Sequence, residues 1–569
     1  MTTLLQVTPR LLAMRSSLST RLLIRPNTST QPWSFKQYPV LNSLRTNHNT
    51  ALLRSSQATI VAYTPNAFVK NKMLAYLRGR FRTGTASYEA RQTHPWAVVI
   101  LATPQFAAWL EEPTFISDVL VSLTKAQTEG FPPLELDVVC ACVDKVAYTV
   151  NFLRSASAAN SRDRSGISIL QGRSDVLLPG LWDDQVNPQT HTTELLSTIT
   201  VASSQDDSIK IDMPLANTLF TNGRKSTLLI SRWQHKDPES IRRSFVQIKS
   251  AEKLNQVVNA LDDMAIDRPH MLVRVTPLTP ARPITSGLGN IVRQIDFGNN
   301  DIGPASRELE AVVNKRMKTL PKERKNLEVW ALIVPEAIVS QASPEMRKHL
   351  SSVDVGKLLD LDGGAVVYWV NRGAKFCRVV SGGGGWGDKE GLLSLDPQTT
   401  YSPIENSELE FPNQTIEEQK TSALGNIAEP GSLIQFFTRR KASEHERTSI
   451  LQSSVQHQHT FEKSVVFGAV TDTVDTTEEK VPEKKVPEID TKVIFYAGMF
   501  GFQSSSGMFL RQRPQPDGSE FTTKIGMPGS YVYSCDKLAS INYNLRVIHR
   551  GTGYSGVRHI PILRATDQE

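Results

Sequence analysis

The stretch WAVVILA at Trp96–Ala102 decides the fold, because seven consecutive apolar residues that end at Thr103-Pro104 are typical of a strand buried on both faces. A helix is predicted next, with Thr114 as its N-cap and apolar side chains at helical spacing until Gly130. Residues 134–142 form a second apolar run. The order strand, helix, strand predicts a mixed α/β or α+β fold.

The same alternation continues further along the chain. Asn222-Gly223 predicts a two-residue hairpin turn, because both residues tolerate positive φ angles. Residues 251–262 carry apolar side chains at helical spacing, and Ser306 fits the N-cap of another helix. Residues 365–370 and 374–380 predict the two strands of a hairpin.

A polar segment at residues 439–491 divides the chain. Ser, Glu, Lys, Thr and Gln dominate it, so it cannot bury enough apolar area to offset the entropy of ordering. We expect a disordered linker there, between a mixed α/β region at 90–437 and a small β-rich C-terminal region at 493–569 that packs back onto the first. A division of the larger region into two subdomains near residue 200 stays open.

The positive charge of the chain is concentrated near its first residue. The first acidic residue is Glu89, and residues 1–88 contain 12 Lys and Arg, whereas the rest has 52 against 57 Asp and Glu. The first 25 residues place their leucines on one arc of a helical wheel. Such a basic, acid-free, amphipathic start is typical of a mitochondrial transit peptide, and a nucleic-acid-binding arm is the alternative. We predict a transit peptide at residues 1–55 and a location in the mitochondrial matrix.

The composition indicates a soluble, folded protein. Hydrophobic residues make up 39% of the chain, the mean hydropathy is -0.27, and no run approaches the roughly 18 apolar residues of a spanning helix. The four cysteines are too few for a disulfide framework and fit a reducing compartment. Cys140 and Cys142 are predicted to face one side of a strand as buried thiols, not as a zinc site.

A glycine-rich loop is the most conspicuous motif. Gly382, Gly384 and Gly387 satisfy G-x-G-x-x-G after a predicted strand, and Lys389 follows. Such glycines let backbone N–H groups approach a phosphate closely, which makes these four residues candidates for binding a phosphorylated ligand. The alternative is a loose hairpin connection, because no helix clearly follows before Gly391.

Basic and aromatic residues alternate near the C-terminus, with no acidic residue between Asp536 and Asp567. Arginine beside tyrosine suits contact with phosphates and stacking on bases. The alternative is an edge hairpin protected by cations against aggregation. The candidates for contact with RNA or another partner are Arg546, Arg550, Arg558, Arg564, Tyr543 and Tyr554.

No sequence motif identifies a catalytic or metal-binding residue. The sequence contains no H-E-x-x-H, no G-x-S-x-G and no paired C-x-x-C. Asp360 and Asp362 lack the further ligands of a calcium loop. We therefore predict no metal site and assign no catalytic residue and no cofactor.

Three short blocks are distinctive: PLANTLF at 214–220, SGLGNIVRQ at 286–294, and GGWG at 384–387 continuing to Leu395-Asp396-Pro397. They resemble a family of fungal mitochondrial proteins to which no activity is attached. The resemblance implies a mitochondrial location and no mechanism. The strand, helix, strand order at 96–142, with a further strand predicted at 166–170, is also similar at the level of fold to FIST-type ligand-sensing domains.

The sequence favours a soluble matrix protein that binds without catalysis. We expect a binding or assembly factor in mitochondrial gene expression or complex assembly, with a protein or ribonucleoprotein partner and no membrane span. RNA is one candidate ligand of the C-terminal arginines. The alternative is an enzyme or sensor that binds a nucleotide or another phosphorylated ligand at the loop 382–387.

Overall fold

The fold is known from a computed structural model, which describes residues 57–62, 69–80, 95–125, 135–147, 165–183, 196–205, 209–235, 244–261, 269–319, 327–351, 364–382, 391–401, 427–440, 464–470, 493–513 and 520–535. All of them belong to one compact unit, which spans residues 51–569. The predicted transit peptide lies outside the described residues. Among them, no helix is long and apolar enough to cross a membrane.

Strands dominate the described residues. Strands β1 to β9 are Gln57–Ala62, Trp96–Ala102, Glu135–Cys142, Lys145–Val146, Ser165–Arg173, Thr198–Val201, Ile209–Pro214, Leu228–His235 and Phe245–Glu252. Strands β10 to β18 are Asn255–Val258, His270–Leu272, Val275–Pro277, Arg282–Leu288, Ile291–Asp296, Ile302–Pro304, Val329–Val334, Lys375–Gly382 and Leu393–Leu395. Strands β19 to β25 are Leu433–Arg439, Ser464–Ala469, Val493–Ala497, Met499–Ser504, Met508–Gln512, Phe521–Ile525 and Tyr531–Cys535.

The helices are mostly short. Helices α1 to α5 are Lys70–Arg80, Ala107–Leu110, Pro113–Lys125, Ser174–Leu177 and Leu219–Asn222, and Pro104–Phe106 forms a 3-10 turn. Helices α6 to α9 are Ser306–Thr319, Glu336–Gln341, Pro344–Ser351 and Gly364–Val370. The predicted mixture of strands and helices is confirmed, with strands in the majority.

The large sheet contains the apolar stretch Trp96–Ala102 as strand β2. Its seven strands run in the order β21-β1-β5-β2-β3-β8-β9. Strands β2 and β3 are parallel and are joined through α3, as predicted, while the other neighbours in this sheet are antiparallel. Strand β2 is buried along its whole length, because both faces of the sheet are covered.

Helices α1 and α3 cover one face of the large sheet. Leu77 of α1 and Leu120 of α3 lie in one apolar cluster with Ile60 and Ile100. The opposite face enters a second cluster, the central core. Alternate residues along each strand therefore supply the two cores, as the two-residue repeat of a strand requires.

Two further sheets lie across the central core. The second sheet has the order β10-β6-β7-β23-β24, and the third has the order β11-β25-β20-β22-β4. Ile211 and Leu510 of the second sheet and Phe467 of the third are buried together with Val99 and Val139 of the large sheet. The three sheets, which we call the body, share this core.

Six strands close into a barrel. Each of β19, β13, β14, β18, β17 and β16 pairs antiparallel with the next, and β16 pairs again with β19. Ala331, Ile333 and Phe436 belong to the cluster inside, and a barrel of this size is filled by its side chains. Residues of the outer wall, including Trp330 and Phe437, join the central core.

The last described strands are distributed over all three sheets of the body. Strand β21 pairs with β1 in the large sheet, and β23 pairs with β7 in the second. Strand β22 pairs with β20 and with β4 in the third sheet. The chain after residue 491 thus contributes strands to sheets that also contain strands from residues 57–272.

The predicted linker at 439–491 contains a strand. Strand β20 is buried along all six residues, with β22 on one side and β25 on the other. Its sequence, SVVFGA, is short and apolar inside a long polar run, so the average composition of the run concealed it. Expected disorder is therefore wrong for these six residues, whereas residues 441–463 and 471–491 lie outside the described part.

Residues 251–258 include the end of β9 and the whole of β10, so the helix predicted over 251–262 is wrong. Strand β10 pairs in parallel with β6, so the sheet satisfies its backbone groups, and Val258 faces the central core. The apolar residues that suggested a helix are divided between the short strand β10 and the turns that flank it.

The segment 365–370 is also corrected, because it forms α9 instead of a strand. Val366, Trp369 and Val370 are buried in the central core, at spacings of three and four residues that place them on one side of a helix. The second predicted strand of that hairpin is confirmed as β17.

Candidate functional site

The predicted phosphate-binding loop connects two strands of the barrel. Gly382 is the last residue of β17 and pairs with Leu393 of β18. A Cβ atom at Gly382 would overlap the Leu393 side chain, so close packing accounts for this glycine. Strand β18 follows the loop, where a dinucleotide-binding motif has a helix. Gly384, Gly387 and Lys389 lie outside the described residues.

The second end of this loop lies beside the start of α6. The backbone N–H of Ser306 donates a hydrogen bond to the carbonyl oxygen of Gly391 at 3.1 Å. The nearby cation Arg307 pairs with Asp301 and stacks 3.9 Å from the centre of the Phe297 ring. The described part of this region therefore offers a helix N-terminus whose neighbouring arginine is already paired.

The predicted RNA-contact residues lie beyond residue 535. None of the six, which are Arg546, Arg550, Arg558, Arg564, Tyr543 and Tyr554, is among the described residues. Contact with RNA stays a prediction.

A different surface feature stands out among the described residues. Phe220 is 98% exposed, the highest value among the large apolar side chains, and Leu219 beside it is half exposed. Both belong to α5, a single helical turn. We call residues 217–227 the Phe220 loop.

Short-range hydrogen bonds fix the conformation of this loop. Thr218 is fully buried, and its hydroxyl group donates to the carbonyl oxygen of Arg224 at 2.9 Å. The hydroxyl group of Thr221 donates to the carbonyl oxygen of Thr218 at 2.8 Å. Gly223 ends the helix with a φ of 78°, and its N–H donates to the carbonyl oxygen of Leu219. The predicted hairpin turn at 222–223 is therefore a helix C-cap, which needs the same positive φ.

Longer-range bonds attach the loop to the body. The Asn222 side-chain amide donates to Glu111 Oε1 at 2.7 Å, and Arg224 Nε donates to the same oxygen at 2.9 Å. Arg224 also forms an ion pair with Glu252 at the end of β9. The hydrogen bond to Glu252 raises the pKa of Arg224, so the loop keeps this cation. These bonds present Phe220 on a preformed support.

Two buried charged groups, Asp137 and Lys253, have enough hydrogen-bond partners to account for their burial. Asp137 accepts hydrogen bonds from Ser174 Oγ, Trp182 Nε1 and Arg232 Nε and Nη2. Lys253 donates to the carbonyl oxygens of Gly180 and Leu181 and to Gln256 Oε1. Burial lowers the pKa of Lys253, but its three N–H donors are already used. The hydrogen bonds of both groups therefore stabilise the fold.

The predicted burial of Cys140 and Cys142 is confirmed. Both thiols lie in the core on the helix-covered face of the large sheet. Burial raises the pKa of Cys142 to about 12, and that of Cys140 is raised as well. Both are protonated at neutral pH and are poor nucleophiles. No group of three or more His, Cys, Asp or Glu among the described residues is arranged to hold a metal ion.

The chain matches no family model, no curated protein and no solved structure. The resemblance to fungal mitochondrial proteins and the likeness to FIST-type domains both stay predictions. Sequence reasoning missed the Phe220 loop, although Leu-Phe directly before Thr-Asn-Gly placed two large apolar residues at a turn, where polar residues are the rule.

Proposed function

We propose that this protein is a non-enzymatic binding factor of mitochondria that attaches to a protein partner through the Phe220 loop. The observation that carries this proposal is the 98% exposure of Phe220 on a loop held by hydrogen bonds and ion pairs. Aromatic anchors at the centre of an interface supply much of its binding energy. A preformed loop loses little conformational entropy on binding, which favours affinity.

The charges around Phe220 favour a protein pocket over a polyanion. Arg224 is bonded to Glu111 and Glu252, so the positive charge at the loop is balanced by neighbouring carboxylates. Long-range attraction of a phosphate backbone needs unbalanced positive charge. A ribonucleoprotein partner would use the C-terminal arginines in addition.

The proposed location depends on the basic, acid-free start of the chain. Residues 1–60 fused to a reporter protein are expected to carry it into mitochondria, because import acts on positive charge and an apolar helical face. Changing Arg10, Arg21 and Arg25 to Glu should abolish import. A reporter that stays in the cytosol with the unchanged leader would refute the location.

Sedimentation of mitochondrial extracts tests the docking role. The full chain is expressed as wild type, as Phe220→Ser and as Ile302→Ser, where Ile302 is a control that is 55% exposed on β15, a short strand paired with the barrel strand β14. We expect Phe220→Ser to move from a large complex to the position of the free protein, while Ile302→Ser sediments like wild type. Equal sedimentation of all three proteins would refute the proposal. Loss of the complex after nuclease treatment would reveal an RNA component.

A phosphorylated ligand at the glycine-rich loop is the second candidate. It is supported by Gly391, which lies beside the first residue of α6, because the N-terminus of a helix attracts anions. Thermal unfolding is measured with nucleotides and phosphorylated cofactors. A ligand at 100 times its Kd should stabilise the protein by about 2.7 kcal/mol. Gly384→Val should remove that effect, and the absence of any stabilising compound would exclude this candidate.

A further inference from the structure

A lysine ammonium group is held against two aromatic rings where helices α1, α2 and α3 meet. Lys70 Nζ lies 5.4 Å from the centre of the Trp109 ring and 5.6 Å from the centre of the Phe115 ring. Glu112 forms an ion pair with the same ammonium group. Both ring distances are within the roughly 6 Å at which the face of an aromatic ring attracts a cation. We call Trp109, Glu112 and Phe115 the cation cage.

The cation cage is built from one short stretch of the chain. Trp109 belongs to α2, Phe115 belongs to α3, and Glu112 lies between these two helices. The Trp109 ring lies 5.3 Å from the ring of Phe115 and 4.7 Å from that of Phe106. Phe106 and Phe115 are buried in the core under the helix-covered face of the large sheet. The core therefore holds the rings in place, and every wall of the cage comes from outside α1.

The carboxylate of the cage is oriented by a neighbour in sequence. Thr114 Oγ1 donates a hydrogen bond to Glu112 Oε1 at 2.9 Å, while Lys70 Nζ donates to Oε2. The hydrogen bonds from Lys70 and Thr114 lower the pKa of Glu112, so this carboxylate is charged at neutral pH. A carboxylate and two ring faces attract a positive charge and offer no such attraction to a neutral group of the same shape.

Helix α1 brings Lys70 to the cage from an unfavourable position. The N–H groups of Lys72 and Met73 donate to the carbonyl oxygen of Val69 at 3.0 and 3.1 Å, so Val69 is the N-cap. Valine has no side-chain acceptor for the free N–H groups of a first turn. Lys70 and Lys72 place two cations, and no acidic residue, at the positive end of the helix dipole. The first turn of α1 therefore depends on the cage, because neither a cap nor the dipole stabilises it.

The cage is open to solvent on its charged side. The side chains of Lys70 and Glu112 are 34% and 43% exposed. A second ammonium group can therefore approach Glu112 from solvent and compete with Lys70. Displacement of Lys70 would detach only the first turn of α1, because Met73 and Leu77 hold the rest of the helix in the core. Exchange at the cage is thus compatible with the fold.

We propose that the cation cage is a binding site for an alkylammonium group, in which Lys70 is a replaceable occupant. A ligand with a primary or methylated ammonium group on an unbranched alkyl chain reproduces the group that Lys70 places there. The lysine side chain of another protein and a small free amine share this chemistry. Lys70 competes from a high effective concentration, because it is attached beside the cage. The proposal does not depend on docking through the Phe220 loop.

The test empties the cage and offers it n-butylammonium. The full chain is labelled with fluorotryptophan, and binding is followed by fluorine NMR, with Trp109→Phe used to assign the signal of Trp109. We expect n-butylammonium to shift that signal in Lys70→Ala in a saturable way, and the neutral counterpart n-butanol to leave it unchanged. Wild type should bind n-butylammonium about tenfold more weakly, because Lys70 competes. No saturable shift in Lys70→Ala, or equal shifts with both compounds, would overturn the proposal.

Two variants separate the cage from general effects of charge. Lys72 is exposed in the same turn of α1, so Lys72→Ala removes an equal charge without emptying the cage and should bind like wild type. Adding Glu112→Gln to Lys70→Ala should weaken binding of n-butylammonium about two- to fivefold, as the loss of an exposed ion pair predicts. Equal affinity in wild type, Lys70→Ala and Lys72→Ala would place the amine outside the cage and overturn the assignment.

A second probe distinguishes the two sources of the ammonium group. Nα-acetyllysine methylamide carries the same group on a peptide backbone and is titrated into Lys70→Ala under the same conditions. Affinity equal to that of n-butylammonium would assign the cage to a lysine side chain of another protein. Binding of n-butylammonium alone would assign it to small free amines. Failure of both probes to bind would overturn the proposal, whatever the outcome for the Phe220 loop.

Discussion

The barrel and the body differ in how the chain builds them. The six strands of the barrel come from one continuous stretch, residues 282–439, and its most distant neighbours, β13 and β19, pair across about 150 residues. The sheets of the body combine strands from residues 57–272 with strands from residues 464–535. Pairing across such distances requires closure of long loops before any contact forms. We infer that the barrel can form early in folding, whereas the sheets of the body are completed only when β20 to β25 have paired.

Single side chains show how far apart the joined segments are. The Gln57 amide donates to the carbonyl oxygens of Ser464 at 2.8 Å and Gly498 at 2.7 Å, across more than 400 residues. The hydroxyl group of Thr59 donates to the carbonyl oxygen of Met499 at 3.0 Å. Strand β1 is thus held by the C-terminal part of the chain as well as by its neighbour β5.

The largest expected effect comes from deleting residues 463–569. The deletion removes β20 to β25, so β1 and β7 each lose one of their two neighbours and β4 loses β22, and the body should lose its cooperative structure. Every barrel strand is retained. Hydrogen exchange should show barrel amides still protected and body amides exchanging freely.

Deletion of residues 536–569 alone is the control for that experiment, because all described strands remain. It should leave the protection of both regions unchanged. If the longer deletion left the body protected, or exposed the barrel to the same extent, the contrast between the two regions would be wrong.

A second prediction compares one glycine in each region. A Cβ atom at Gly501 in β22 would overlap the backbone carbonyl group of Val466 in β20, which cannot move without breaking the sheet. At Gly382 the overlap is with the Leu393 side chain, which can change rotamer. We expect Gly501→Ala to cost about 4 kcal/mol or more of the free energy of unfolding, and Gly382→Ala about 1–3 kcal/mol. Chemical denaturation measures both, and equal costs would show that the two sites are alike.

Much of the first half of the body was predictable from sequence. Strands β2 and β3 were predicted from apolar runs, and the helix between them from apolar residues at helical spacing. In all three elements the local sequence pattern agrees with the position in the fold. Strand β20 was not predictable, because a six-residue strand with one short apolar run inside a polar segment is placed only by its pairing with β22 and β25. The closure of the barrel also depends on pairing between β16 and β19, about 100 residues apart, which no local pattern encodes.

The candidate sites were less predictable than the fold. Gly382 was singled out from its motif, and the structure accounts for it by packing. The Phe220 loop has no motif, because the carboxylate that holds it, Glu111, is more than 100 residues away in sequence. The 98% exposure of Phe220 is a property of the folded state alone.

A third prediction concerns the dependence of stability on pH. Burial raises the pKa of Cys377 in the barrel and of Cys142 in the body to about 12. Above the ordinary thiol pKa of about 8.5, the unfolded chain loses these protons while the folded protein keeps them, so stability falls as pH rises. Each thiol should contribute a slope of at most about 1.4 kcal/mol per pH unit.

Alanine variants assign that slope to the two regions. Denaturant unfolding between pH 8 and pH 10 should show a shallower fall for Cys142→Ala and for Cys377→Ala than for wild type. If the regions unfold separately, each variant should change the slope of its own transition only. A slope that is identical in wild type and both variants would show that the thiols titrate alike in both states.

The smallest expected effect comes from a surface ion pair, and it separates the stability of the Phe220 loop from its rigidity. Arg224 is about one-third exposed, and screening by solvent limits its pairs with Glu111 and Glu252 to roughly 0–1 kcal/mol of global stability. The more exposed pair of Arg378 with Glu328 in the barrel should contribute less still. Arg224→Ala should nevertheless speed hydrogen exchange at Gly223, because its N–H bond lies within the loop that Arg224 fastens. Arg378→Ala should leave that exchange rate unchanged. If Arg224→Ala leaves the exchange rate unchanged too, the short-range bonds of Thr218 hold the loop without help, and docking through Phe220 should then survive the loss of Arg224.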